Sequence, residues 1–98
     1  MSGQPNSEKT GLHARIHGRV QGVGFRYNTR SEAKRRNLSG WVKNEPDGTV
    51  TVVCEGPADQ VDRFARWLKK GPPGARVTHV DMKRVSYRGT FSGFTVEF

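Results

Sequence analysis

The chain has 98 residues, 33% of them hydrophobic, and a formal net charge of +8; that length sets the scale at one domain with a thin core shared between two packed layers. No apolar stretch approaches a membrane span, the N-terminus lacks the apolar core of a signal peptide, and Ser2 stands where a myristoylation signal needs glycine. A soluble, cytoplasmic protein is expected, without an internal disulfide because Cys54 is its only cysteine, and its charge asks for an anionic partner of some kind.

Residues 1–10 carry no large apolar residue beyond Met1 and are expected to form a disordered tail, leaving residues 11–98 as the folded domain. From Leu12 the pattern alternates, with Leu12, Ala14 and Ile16 on one side and His13, Arg15 and His17 on the other, a half-buried strand. Gly18-Arg19-Val20-Gln21-Gly22-Val23-Gly24-Phe25-Arg26 then leads through a glycine-rich bend into a helix that opens on an arginine. Glycines let consecutive N–H groups turn toward one point, and a helix start adds its own unpaired N–H groups and positive dipole end. Arg26 adds a permanently charged, planar set of donors suited to phosphate oxygens. The P-loop pattern and the dinucleotide-binding pattern both fail here, the second because Tyr27 stands where a third glycine belongs. Glycine spacing alone is equally consistent with an ordinary turn beside a surface arginine.

The helix is predicted from Phe25 to Asn37, with Phe25, Thr29 and Ala33 on its inner face and Arg30, Lys34, Arg35 and Arg36 as a solvated basic face. Leu38 to Asn44 reads as a second strand with Leu38, Gly40, Val42 and Asn44 on one side, and Glu45-Pro46-Asp47-Gly48 carries reversal chemistry. Thr49 to Glu55 returns as a β-branched third strand, in which Cys54 reads as a small buried hydrophobe. Val61, Phe64, Ala65 and Leu68 recur at helical spacing, with Pro57 suited to the first turn, the Gly71–Gly74 segment ending the helix, and Trp67 off the stripe as a partly exposed packing residue. Arg76 to about Tyr87 forms a fourth strand, and Phe94, Val96 and Phe98 a short fifth with inward aromatic residues.

The order is β-α-β-β-α-β with an extra terminal strand. It predicts an α+β fold: a ferredoxin-like split βαβ sandwich, an antiparallel sheet with two helices on one face. In that topology strands one and two run the same way on either side of strand three, so the glycine-rich loop and Asn44 emerge at one edge of the domain. Asn44 supplies a carbonyl acceptor and an amide donor, enough to orient a water, although asparagine before a hairpin is also a common turn residue. His13, His17 and His79 lack metal-ligand spacing, and no metal site is expected.

The segment Gly18–Arg26, followed by Gly40-Trp41-Val42-Lys43-Asn44 and Asp47-Gly48-Thr49-Val50, resembles the acylphosphatase family, and the resemblance runs from about residue 12 to residue 98. It implies a free-standing enzyme that hydrolyses the carboxyl-phosphate bond of small acylphosphates such as acetyl phosphate, carbamoyl phosphate or 1,3-bisphosphoglycerate, giving a carboxylate and phosphate. The resemblance makes Arg26 and Asn44 the catalytic residues, Arg26 binding phosphoryl oxygens and Asn44 positioning water. The backbone of Gln21, Gly22, Val23, Gly24 and Phe25 would complete the phosphate cradle. No cofactor, membrane or nucleic-acid partner is expected; the chain is expected to act as a monomer, with inorganic phosphate as a product inhibitor. One departure stands beside Asn44: relatives often carry a hydroxyl residue where this chain has Glu45, a carboxylate that would oppose anion binding if it faced the phosphate. The alternatives are a small basic RNA-binding module on the same fold and an inactive domain that senses acylphosphates.

Overall fold

Strand β1 begins at Lys9 in the computed structural model, which describes residues 8–98. Leu12, Ala14 and Ile16 are buried while His13 and Arg15 face out, as their alternation predicts. The strand starts ahead of Leu12 because Lys9 and Thr10, which carry no apolar signal, pair through their backbones with Pro57 and Gly56. Of the expected tail, Lys9 and Thr10 therefore belong to the sheet, and residues 1–7 lie outside the described residues.

Helix α1 spans Phe25–Arg35 and buries Phe25, Thr29 and Ala33. It ends where Asn37 turns to φ 59°, a conformation that asparagine tolerates better than most residues, and the Leu38 N–H then closes on the Ala33 carbonyl at 2.9 Å. Its basic face is only partly solvated: Arg36 folds back so that Nε donates to Glu32 at 2.7 Å and Nη1 to Gln60 at 3.2 Å. Strands β2 (Ser39–Asn44) and β3 (Val50–Pro57) form the expected hairpin in register, Val42 opposite Val52 and Asn44 opposite Val50. Helix α2, Ala58–Lys70, buries Val61, Phe64, Ala65 and Leu68; Pro57 ends β3 and caps the helix instead of entering its first turn. Trp67 is partly buried, stacking on Phe64 and tilting against Phe25.

Strands β4 (Arg76–Val85) and β5 (Phe94–Glu97) complete a sheet of order β4-β1-β3-β2-β5, with both helices covering one face. The core lies between that face and the helices, from Leu12, Ala14 and Ile16 across Val50, Val52 and Val42 to Phe25, Phe64 and Leu68. The sheet departs from the expected all-antiparallel form in one pairing: β5 runs parallel to β2, Gly40 opposite Phe94. The cause is the connection 86–93, which carries the chain from the β4 edge across the open face to the far edge. Midway, the carboxylate of buried Glu55 accepts the N–H groups of Arg88 at 2.9 Å and Gly89 at 3.0 Å. Phe94 points inward as expected, but Phe98 does not; it is 84% exposed.

Cys54 is fully enclosed in β3, and burial pushes its thiol up to about 12. In the native protein at neutral pH it is expected to resist an aromatic disulfide reagent and to react at once in denaturant. Prompt stoichiometric reaction of the native protein would contradict this packing.

Candidate active site

Strand β1 has a bulge between His17 and Gly18 just before its end, and the chain then enters the bend at Val20, whose side chain is buried. Val20 and Phe25 fix the two ends of the bend in the core, leaving Gln21 to Gly24 to arch between them. Gly22 and Gly24 both take φ 75°, the left-handed region that side chains other than glycine enter only at a cost. At Gly22 an added Cβ would meet nothing within 4 Å, so the backbone angle, and not space, demands glycine there.

Gly24 also caps α1, its carbonyl accepting the N–H of Asn28 at 3.0 Å and the side-chain amide of Asn28 at 2.9 Å. No side chain caps the helix start and no acidic residue lies in its first turn, so the positive end of the dipole is not neutralised locally. Among the described residues no acceptor takes the N–H groups of residues 21 to 25. The bend therefore offers unpaired donors at a positive helix end, an arrangement that suits an anion.

Arg26 sits in the first turn of α1 and reaches toward β5. Its Nη1 donates to the Glu97 carbonyl at 3.2 Å, and its guanidinium lies over the Phe98 ring at 4.8 Å. One of its five donors is thus spent on fixing the side chain, and among the described residues no acceptor takes the rest. Nothing around Arg26 in the sequence points to this support, since it comes from the other end of the chain.

Asn44 ends β2 on the core-facing side, with Gly40 and Val42. Its Oδ1 is buried and has no partner among the described residues, a state it shares with Thr29 Oγ1 and Asp59 Oδ1 and one that costs about 1–3 kcal/mol unless a water or ligand supplies the donor. The predicted proximity of loop and hairpin is realised through one side chain. Gln21 Nε2 donates to the carbonyls of Glu45 at 2.8 Å and Thr49 at 2.9 Å, so the first residue of the arch is tied to both sides of the turn that follows Asn44.

Glu45 faces away from this site. Its Oε2 accepts the Thr51 hydroxyl at 2.6 Å, and Thr51 lies on the opposite face of β3 from core residues Val50 and Val52. The turn itself is closed by Glu45 N–H to the Thr49 carbonyl at 2.8 Å and Gly48 N–H to the Glu45 carbonyl at 3.1 Å. Asp47 accepts both the hydroxyl and the N–H of Thr49, and these bonds, the hydroxyl's first, hold its carboxyl below the usual aspartate range. On the open face His17 and His79 share Asp81, at 3.0 and 2.6 Å, and lower its carboxyl in the same way, His79 contributing most.

Comparison with known proteins agrees with this architecture. The family model described as Acylphosphatase matches residues 12–96. An acylphosphatase of Pseudomonas paraeruginosa is 51% identical over 85 residues, covering 87% of this chain and 92% of the relative. The crystal structure of the acylphosphatase from Bacillus subtilis superposes with a TM-score of 0.87 at 36% identity, covering 91% of this chain and 99% of that one. The acylphosphatase structure from Coxiella burnetii gives 0.87 at 35% identity, covering 98% and 100%. With the split βαβ sandwich, the glycine arch and the match along nearly its whole length, the chain belongs to the acylphosphatase family.

Proposed function

We propose that this acylphosphatase hydrolyses small acylphosphates, with acetyl phosphate, carbamoyl phosphate and 1,3-bisphosphoglycerate as the substrate class, by aligning one water with a phosphoryl group held in the glycine arch. The unpaired N–H groups of Gln21, Gly22, Val23, Gly24 and Phe25 and the free donors of Arg26 take the non-bridging phosphoryl oxygens. Asn44 Oδ1 accepts a hydrogen of the attacking water and aims its oxygen at phosphorus.

Phosphoryl transfer asks the protein mainly for alignment and for charge stabilisation on the equatorial oxygens, which fixed amides and a guanidinium supply. As the water oxygen bonds to phosphorus, the bond from phosphorus to the acyl oxygen breaks and the pair leaves on the carboxylate, a stable anion that needs no general acid. The water's proton passes to a phosphoryl oxygen, since Asn44 is no base and the carboxylate of Glu45 is turned to the opposite face of the sheet. The scheme calls on no second subunit, and the reading includes action as a monomer in the cytoplasm.

The observation that carries the reading is the set of unpaired N–H groups beside Arg26. Inorganic phosphate should compete for the same donors, so raising it is expected to increase KM for acetyl phosphate while leaving kcat unchanged. A purely noncompetitive response would place phosphate elsewhere and remove the arch from the site.

A further inference from the structure

The side chain of Gln21 makes two hydrogen bonds that the hairpin does not need. The carbonyls it contacts are already engaged, Glu45's by the Gly48 N–H at 3.1 Å and Thr49's by the Glu45 N–H at 2.8 Å. Removing the amide would therefore leave neither carbonyl without a donor, and the turn would remain closed by its own backbone and by Asp47. What the two bonds add is a fixed separation. Between the buried anchors Val20 and Phe25, the Gln21 amide makes the arch's only hydrogen bonds to the β2–β3 hairpin among the described residues.

We infer that Gln21 is a positioning residue: its side-chain amide sets the distance between the phosphate-holding arch and Asn44, so that the water is in line with phosphorus when the phosphoryl group is seated. The inference rests on the assignment of Asn44 as the water holder. It gives Gln21 a role distinct from that of its backbone N–H, and one exerted only through Asn44. The amide is suited to this because one nitrogen carries two hydrogens and can span two carbonyls on opposite sides of a turn. A displacement of about 1 Å between reacting groups lowers a rate by about a hundredfold, so a tie that contributes little to folding can contribute much to turnover.

The test is a double-mutant cycle on acetyl phosphate hydrolysis, comparing the parent, Gln21→Met, Asn44→Ala and the double variant, with the inhibition constant of inorganic phosphate measured for each. Gln21→Met keeps the length and loses the donors. It is expected to lower kcat about ten- to a hundredfold while phosphate inhibition changes less than about twofold, because the arch and Arg26 remain. On the Asn44→Ala background the same substitution should cost less than about twofold, since no held water is left to misplace. Gln21→Asn, which keeps the amide but is one methylene too short to reach both carbonyls, should behave like Gln21→Met and serves if that variant does not fold.

Effects of Gln21 and Asn44 that simply multiply would overturn the inference while leaving the water-holding role of Asn44 intact. So would phosphate inhibition that weakens as much as kcat falls, which would mean that the side chain shapes the arch itself. An Asn44→Ala enzyme as fast as the parent would instead remove Asn44 as the water holder, and the inference with it.

Discussion

Replacing Arg26 by alanine is expected to lower kcat/KM for acetyl phosphate by about a thousandfold or more, with the fold intact. An arginine that neutralises charge on a transferring phosphoryl group contributes about 10³–10⁵ in rate where it has been removed and restored. The side chain is only partly buried and its one hydrogen bond among the described residues is to an exposed backbone carbonyl, so its loss has little leverage on stability. Arg26→Lys should recover little, because an ammonium cannot present the planar paired donors that the guanidinium offers from its seat against Glu97 and Phe98. A correctly folded Arg26→Ala protein with parental activity would take the phosphate out of this corner of the molecule.

Asn44→Ala should act on a different constant. Among the described residues its buried Oδ1 has no partner to lose, so the substitution should leave stability unchanged or slightly raised. With phosphate binding assigned in this proposal to the arch and Arg26, KM should move by less than about threefold. The fall should be in kcat, about a hundredfold, as expected when a reacting water is no longer held in line. A rise in KM with kcat preserved would make Asn44 a binding group, not a water holder.

Much of this site was legible because its parts are local in sequence. The glycines of the arch, Arg26 one residue into the helix and the Pro46-Asp47-Gly48 reversal each carry their own conformational chemistry, and strand order then brings Asn44 to the loop. What escaped the sequence is cross-chain. The grip of Glu97 and Phe98 on Arg26 spans most of the chain, and Phe98 reads as one more inward aromatic by alternation although it lies outside the core. The parallel seating of β5 depends on the crossing connection held by Glu55, and no residue in β5 itself encodes its direction. Glu45 could face either way until its bond to Thr51 fixed it on the open face. Gln21 belonged to the arch from the start, but only its backbone was legible there, since its side-chain partners lie across the hairpin turn.

In the proposed mechanism a water beside Asn44 attacks phosphorus and leaves the acyl carbon untouched. Hydrolysis of acetyl phosphate by the purified protein in water enriched in heavy oxygen, followed by mass analysis of both products, shows which atom is attacked. The label should appear in inorganic phosphate, one atom per turnover, with none in acetate above the uncatalysed background; label incorporated into acetate would mean attack at the carbonyl carbon and would contradict the account.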